Sequence, residues 1–254
     1  MMIALLGFAA GILIGLTGTG GGTVLTPLLL IATPYPALVI IGTDLVTGAV
    51  TKLAGLVQHW RLGRIYWGFG AWIIAGSIPG SLAGILVIHV MKTHLSARLL
   101  EYTLKALVGL VLFAASFSLP YLRKRKANGA GKAPAQTHHG FFMLAGAAVG
   151  FLVAVSSVGS GSLLMVVMLM ISPVPIADLV GTDIMLGLAT TILAGSLHLW
   201  MGHFNGALFS GLVVGSVPGV LVGSWLSHRI PDRYSGWLLS VLYFSLGARL
   251  LLSF

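Results

Sequence analysis

Long apolar segments dominate this chain of 254 residues and decide what it can fold into. Each half holds four of them, and each is near or above the roughly 20 residues that a helix needs to span a bilayer. Charged residues make up only 7% of the chain, against about 25% in an ordinary soluble domain. The sequence therefore predicts an all-α polytopic membrane protein and excludes an ordinary soluble or disordered chain. The segments cover about 2–32, 37–59, 66–90, 97–119, 141–171, 176–198, 206–228 and 235–253.

The two halves are copies of one unit, because residue n of the first half matches residue n + 139 of the second without a gap. For example, Gly42-Thr43-Asp44 matches Gly181-Thr182-Asp183. Duplicated membrane units are typical of secondary transporters. We expect a first transmembrane repeat over 1–120, a basic cytoplasmic linker over 121–140 and a second transmembrane repeat over 141–254.

Positive charges favour one of two topologies. The first segment of each repeat is about 30 residues long and is broken by a glycine-rich stretch, so it is either one interrupted span or a re-entrant hairpin. A full span makes the repeats parallel, whereas a hairpin makes them inverted. With the linker inside, the inverted arrangement fits better, because it also places Arg61, Arg64, Arg229 and Arg233 inside. The charges that oppose it are Lys92, Arg98 and Arg249.

The two glycine-rich breaks are the first candidate site. Backbone freed at a break must find hydrogen-bond partners or line a cavity, and a helix that restarts there offers free N–H groups to an anion. Two such ends facing each other would hold one small oxyanion near mid-membrane; the alternative is close helix packing by small residues. The predicted substrate-binding residues are Thr17, Gly18, Thr19, Gly20, Gly21, Gly22, Thr23, Thr43, Ser156, Ser157, Gly159, Ser160, Gly161, Ser162 and Thr182.

Ionisable residues inside the apolar segments form the second candidate site, because charge at membrane depth is costly and usually functional. The equivalent residues Asp44 and Asp183 are predicted to relay a proton or cation, or else to cap a helix N-terminus. Lys52 would neutralise Asp44, attract the anion or snorkel toward the cytoplasm. His59 and His198, at equivalent helix ends, would shuttle protons or lie at the membrane interface.

With these motifs, the chain resembles the sulfite exporter TauE/SafE family, also called the toluene sulfonate uptake permease family. The resemblance covers nearly the whole chain. It implies a multi-pass permease of a prokaryotic cytoplasmic membrane that moves sulfite, organosulfonates or related sulfur anions. It rests on Gly18-Thr19-Gly20-Gly21-Gly22, Val24-Leu25-Thr26-Pro27-Leu28, Gly42-Thr43, and Gly76-Ser77-Ile78-Pro79-Gly80 with Gly84. The chain departs from the family pattern at Asp44, Asp183, Ser160 and Val166.

We therefore predict a secondary transporter of a small sulfur-containing anion, linked to a proton or cation, and not an enzyme. Two alternatives stay open: a passive anion channel, and an intramembrane hydrolase with Ser160 as nucleophile and His198 as base. We expect no cofactor, no metal site and no nucleic-acid partner. The expected partners are the anion, the lipid bilayer and a second copy of the chain in a homodimer.

Glu101 and Lys105, four apart on one helix, are expected to form an ion pair.

Overall fold

Helices make up nearly all of the part of the chain that the structure describes, and that part contains no strand. The structure is a computed structural model; it describes residues 1–17, 21–61, 68–127, 139–171, 176–227 and 232–252. The prediction of an all-α fold is confirmed. The helices of the first half are α1 (Met2–Thr17), α2 (Leu25–Ala32), α3 (Ala37–Arg61), α4 (Gly70–His94) and α5 (Ala97–Ala127), with a short 3₁₀ turn at Gly21–Thr23. Those of the second half are α6 (His139–Ser156), α7 (Ser162–Ile171), α8 (Ile176–Trp200), α9 (Gly206–Ser227) and α10 (Asp232–Leu251).

Several of these helices are long and apolar enough to cross a membrane. Within the described residues, five pass this test by length and composition, and α1 with α2 makes a sixth if the bent pair is one span. The polytopic fold predicted from the apolar segments is thereby confirmed. The five spans are Gly70–His94, Ala97–Ser118, His139–Ser156, Gly181–Trp200 and Gly206–Gly223.

Helix α5 continues beyond its apolar part into the basic stretch that we assigned to the linker. It ends at Ala127, although the predicted apolar segment ends near residue 119. The extension contains Pro120, which opposes a helix, but the residues from Tyr121 to Ala127 are mostly strong helix formers, namely Leu, Arg, Lys and Ala. The helix therefore extends to Ala127, while the hydropathy changes earlier.

The helices of the two halves interlock. Helix α1 packs along α9, and α6 packs along α4. Because α1 corresponds to α6 and α4 to α9 in the duplication, each of these contacts is the repeat-equivalent of the other. The remaining main contacts join equivalent helices, α3 with α8 and α5 with α10. Each half of the chain therefore packs mainly on the other.

Glycines allow the interlocked helices to touch backbone to backbone. A Cβ atom on Gly76 of α4 would overlap with the carbonyl oxygen of Met143 on α6. The equivalent Gly215 of α9 would overlap in the same way with the carbonyl oxygen of Ala4 on α1. Small residues at membrane helix contacts permit this close approach. The glycine content of the chain thus serves helix packing as well as the breaks.

We expect Gly76→Ala to destabilise the folded protein by about 1–3 kcal/mol, the usual cost of overpacking a tight contact. Gly215→Ala should cost a similar amount, because its contact is the repeat-equivalent. Thermal unfolding in detergent, followed by tryptophan fluorescence, measures both. Gly140→Ala is the matched control, since a Cβ there would meet nothing within 4 Å. Equal unfolding midpoints for all three variants would contradict the backbone contact.

The directions of the interlocked helices are fixed by the same glycines. Gly7 lies against Leu212 and Gly11 against Ser216, so α1 and α9 run in the same direction. The equivalent glycines of α6, Gly146 and Gly150, lie against Ile73 and Ser77 of α4, so these two helices also run in the same direction. In contrast, the axes of Met2–Leu16 and Gly21–Ala32 differ by 114°. A bend of this size fits either a broken span or a re-entrant loop.

Candidate functional site

The glycine-rich breaks of the two halves touch each other and are buried between α3 and α8. A Cβ atom on Gly22 would overlap with the carbonyl oxygen of Ser157 in the opposite break. On the α8 side, a Cβ on Gly187 would overlap with the carbonyl oxygen of Ser160. The structure thus brings together the described residues of both breaks. Those buried there include Gly21, Gly22, Thr23, Ser156, Ser157 and Ser160.

Part of the predicted site lies outside the described residues. This holds for Gly18, Thr19 and Gly20, and for the side chains of Thr17, Ser162 and His59. The predictions made for them stay predictions.

Asp44 and Asp183 lie inside helices and not at helix starts. Helix α3 begins at Ala37 and α8 begins at Ile176, so each aspartate is about two turns into its helix. The alternative that they cap the N-termini of these helices is therefore wrong. Both carboxylates are buried, with 0% and 2% of their residue surface exposed. A buried carboxylate needs hydrogen-bond partners, a counter-charge or a proton.

Asp44 joins the two breaks through one of its oxygens. The Oδ2 atom accepts hydrogen bonds from the hydroxyl groups of Thr26 and Ser157, the second at 2.9 Å. Thr26 lies in the first turn of α2, whereas Ser157 belongs to the break of the other half. The second oxygen, Oδ1, has no hydrogen-bond partner among the described residues. It is buried, so it is the atom best placed to carry a proton.

Ser157 holds its hydroxyl on Asp44 from an unusual backbone conformation. Its φ angle is 57°, in the left-handed region, which residues with a side chain seldom adopt outside glycine-rich turns. Such conformations cost of the order of 1–3 kcal/mol and cluster at functional sites. The contact with Asp44 therefore depends on a local structure that is maintained against strain.

Lys52 places a cation between the same elements. The side chain is 5% exposed, and its Nζ atom donates to the carbonyl oxygen of Ser160. Asp183 and Asp44 both attract it electrostatically. The alternative that Lys52 snorkels to the cytoplasm is wrong, because its ammonium group is buried against the opposite break.

The Lys52 cation has no charged counterpart at the matching position of the second half, which is Thr191. Lys52 of α3 lies against Gly187 of α8, and the repeat-equivalent Thr191 of α8 lies against Gly48 of α3, with its Cγ2 atom 3.9 Å from a Cβ placed there. The Thr191 hydroxyl donates to the carbonyl oxygen of Gly187 at 2.8 Å. The crossing of α3 and α8 thus carries a positive charge from the first half alone.

The predicted threonine and histidine residues are engaged at one end of this crossing. The Thr43 hydroxyl accepts the backbone N–H of Asn205 at 3.1 Å. His198, in the last turn of α8, is fully buried; that it shuttles protons or lies at the membrane interface stays a prediction. Its Nε2 bonds the carbonyl oxygen of Ala154 at 2.8 Å, and its Nδ1 faces Nδ1 of His203 at 3.3 Å. Both ring nitrogens are engaged with groups other than Ser160. Thr182, the equivalent of Thr43, is buried.

The expected ion pair is confirmed, and one of its members has a second role. Lys105 Nζ lies 3.3 Å from Glu101 Oε1. The other oxygen, Glu101 Oε2, accepts the backbone N–H of Ala37 at 2.8 Å. Glu101 of α5 therefore caps the start of α3, where negative charge is favourable, and holds in place the helix that carries Asp44 and Lys52.

Sequence reasoning missed Thr26, Lys92 and His203 as members of the site and its surroundings. Thr26 is one polar residue in the apolar run after the first break, which was a usable signal. Lys92 is two residues beyond the expected end of its segment, and His203 lies in a short loop. Neither position indicates by itself which helix it would meet.

Comparison with known proteins gives a family for nearly the whole chain. A family profile described as "Sulfite exporter TauE/SafE" matches residues 3–250. The chain is 32% identical over 251 residues to "Probable membrane transporter protein YjnA" of Bacillus subtilis (strain 168), with 98% of each chain covered. It is 25% identical over 231 residues to "Probable membrane transporter protein YdhB" of the same strain, with 91% of each covered. A "Probable membrane transporter protein" of Xylella fastidiosa (strain Temecula1 / ATCC 700964) is 27% identical, with 88% of this chain and 83% of that protein covered. No solved structure matches this chain.

Proposed function

Because the chain belongs to the sulfite exporter TauE/SafE family, and so is a multi-pass membrane transporter, we propose that it carries a small sulfur-containing anion across the cytoplasmic membrane of a prokaryote. Sulfite and organosulfonates are the proposed substrates, and a proton is the proposed coupling ion. The observation that carries this proposal is the ammonium group of Lys52, buried beside Asp44, Asp183 and Ser160 of the second break. An anion that enters such a site finds a counter-charge away from water.

The charges around Lys52 explain why a proton should travel with the anion. When Asp44 and Asp183 are both ionised, the three groups carry a net charge of −1, which repels an anion. One proton makes this cluster neutral, and two make it positive. Two unit charges about 4 Å apart interact by about 4 kcal/mol at an effective dielectric constant of about 20. Protonation of an aspartate therefore changes the affinity for an anion substantially.

Asp44 is the carboxylate that the anion would compete with. Its partner Thr26 lies in the first turn of α2, and helix N-termini favour negative charge. In the described structure the start of α2 already faces the carboxylate of Asp44. When Asp44 takes up a proton, the same end becomes available to the substrate. This exchange would couple one proton to one anion.

Helix directions support inverted repeats for the proposed transporter. His203, just before α9, contacts Lys92 near the end of α4, so α9 begins on the side where α4 ends. Helix α1 runs with α9 and therefore begins on that same side. Helix α6 runs with α4 and therefore begins on the opposite side. The two repeats then enter from opposite sides, and a cytoplasmic linker places the 201–205 loop outside.

A carrier fits the site better than the passive channel that we kept as an alternative. Asp44, Asp183 and Lys52 are each at most 5% exposed. An anion reaches these groups only after the surrounding helices move, as alternating access requires. A channel would instead need a continuous open path.

We expect the purified protein in liposomes to accumulate radiolabelled sulfite when the outside is more acidic than the inside. Methanesulfonate should be tested in parallel, because it remains an anion over this pH range, whereas sulfite itself titrates. Liposomes without protein are the control for passive entry. Equilibration without accumulation would indicate a channel. Failure to transport sulfite, thiosulfate and organosulfonates would overturn the proposal.

A further inference from the structure

A chain of three ionisable side chains leads from the surface to the end of helix α6. Lys92 Nζ of α4 lies 3.5 Å from His203 Nε2. His203 Nδ1 lies 3.3 Å from His198 Nδ1, and His198 Nε2 lies 2.8 Å from the carbonyl oxygen of Ala154 on α6. Lys92 is exposed, whereas His203 and His198 are 4% and 0% exposed. The contacts link α4, α6, α8 and the 201–205 loop.

Only one arrangement of protons satisfies all three contacts with neutral rings. The carbonyl oxygen of Ala154 can only accept, so His198 Nε2 must carry a proton, and Nδ1 of a neutral His198 must then accept. His203 therefore donates from Nδ1, which leaves its Nε2 to accept from the Lys92 ammonium group. The chain is ordered from donor to acceptor along its whole length.

The loop that carries His203 lies directly on α3 beside the central site. The backbone N–H of Asn205 donates to Thr43 Oγ1 at 3.1 Å. A Cβ atom on Gly42 would overlap with the carbonyl oxygen of His203. Both contacts are made within two residues of Asp44. The position of this loop therefore decides whether that end of the site is covered.

We propose that His203, together with His198 and Lys92, forms a proton-binding site on the outer face that holds the 201–205 loop closed while both rings are neutral and releases it when a ring is protonated. Its role in transport rests on the proposed function, because the loop covers the anion site proposed there. The movement of the loop can be tested without any substrate.

Protonation of His203 breaks the chain because both of its nitrogens then donate. The contact with Lys92 becomes one between two donors and two positive charges. Burial lowers the pKa of His203 below its usual value, and the charge of Lys92 lowers it further. The closed loop therefore binds fewer protons than the open loop, and acid shifts the balance toward the open form. This shift begins as the pH falls through about 6.5, the ordinary histidine pKa.

No carboxylate compensates the charge of a protonated ring in the described part of the chain. The groups that act electrostatically on the two histidines are Lys92 and the rings themselves. Helix α6 offers a carbonyl oxygen, and α3 offers Gly42 and Thr43. The histidine pair also gives a reason why Lys92 lies on the outer side, against the positive-inside rule. The charge of Lys92 destabilises the protonated ring of His203.

The experiment uses the natural absence of cysteine in this chain. Thr43→Cys places a reporter thiol under the loop, where the residue is 0% exposed. Thr93→Cys, exposed on α4, corrects for the pH dependence of the reagent. Each thiol is labelled with dipyridyl disulfide, which remains reactive in acid, at pH 7.5 and pH 5. We expect the corrected labelling of Thr43→Cys to be severalfold higher at pH 5 than at pH 7.5, because the open loop binds more protons than the closed loop.

Three second substitutions in the reporter background decide the interpretation. His203→Gln should remove the acid response, and His89→Gln, an exposed histidine one turn before Lys92 on α4, should leave it intact. Lys92→Met should weaken the acid response, because the charge that lowers the pKa of His203 in the closed loop is gone and the two loop states then differ less in proton affinity. Lys92→Met remains informative if His203→Gln leaves the loop open at both pH values. An unchanged response in Lys92→Met, no response in the parent reporter, or a full response in His203→Gln would overturn the proposal.

The labelling result is independent of the transport result. A protein that shows the acid response but moves no sulfur anion would retain this loop switch and refute the proposed function. A protein that transports sulfite with no change in labelling would refute the switch alone.

Discussion

Lys52→Met should abolish anion transport, with the initial rate at low substrate concentration falling by about 100-fold or more. Removing a counter-charge worth about 4 kcal/mol at close range weakens anion binding by roughly three powers of ten, at 1.4 kcal/mol for each tenfold. Methionine nearly matches the length of the lysine stem, so the packing of α3 on α8 is largely kept. Uptake of labelled methanesulfonate into liposomes measures the effect.

Lys105→Met is the matched control for this change. Lys105 pairs with Glu101 on α5 and is partly exposed, so the same substitution there removes a lysine away from the breaks. We expect near-normal uptake. Loss of uptake in both variants, with both proteins folded, would show that any lysine loss is damaging. Normal uptake in Lys52→Met would remove the basis of the proposed site.

The repeat-equivalent position offers a sharper version of the experiment. In the double variant Lys52→Thr with Thr191→Lys, the cation moves to the other side of the α3–α8 crossing. Gly48 faces position 191 as Gly187 faces position 52, so each side has a glycine that admits a side chain. We expect the double variant to recover part of the uptake that Lys52→Thr loses. No recovery would mean that the two sides are not interchangeable.

The sequence predicted the fold class and the charged part of the site for a physical reason. Apolar segments long enough to span a bilayer admit helices, and ionisable residues within them attract attention because burying charge is costly. Asp44, Lys52 and Asp183 were found in this way. The predicted segments 37–59 and 176–198 begin where α3 and α8 begin, and the N-cap alternative for the aspartates fails for an equally plain reason. Gly42-Thr43-Asp44 resembles a capping sequence, but α3 already begins at Ala37, directly after Pro36, where a proline commonly precedes a helix.

The pairing of helices could not be read in the same way. Membrane helices are apolar on all sides, so hydrophobic periodicity does not indicate which helix meets which. The interlocking of α1 with α9 and of α4 with α6 depends on the register of glycines on facing backbones. The contacts of Thr26, His203 and Lys92 follow from that interlocking. A single sequence contains these residues without showing their partners.

Asp44→Asn should separate anion movement from the proton gradient. The wild-type protein, with one proton for each anion, should accumulate methanesulfonate about tenfold per unit of pH difference, since one pH unit supplies about 1.4 kcal/mol. Asparagine keeps an oxygen that can accept from Thr26 or Ser157, which hold the aspartate in the described structure, so the breaks should stay joined. It cannot bind or release a proton, so exchange of labelled for unlabelled anion should continue while accumulation disappears.

Asp44→Glu distinguishes loss of the titrating group from a change of shape. The longer carboxylate disturbs the hydroxyl contacts but still titrates, so we expect slower uptake that remains driven by the pH gradient.

Asp183→Asn tests whether the coupling belongs to one aspartate, because Asp183 also attracts Lys52 and is the repeat-equivalent residue. If Asp44→Asn accumulates the anion as well as wild type while Asp183→Asn does not, the proton is carried by the second half and the role proposed for Asp44 is wrong. If both variants accumulate normally, neither aspartate couples transport, and the buried charges of this site serve only to bind the anion.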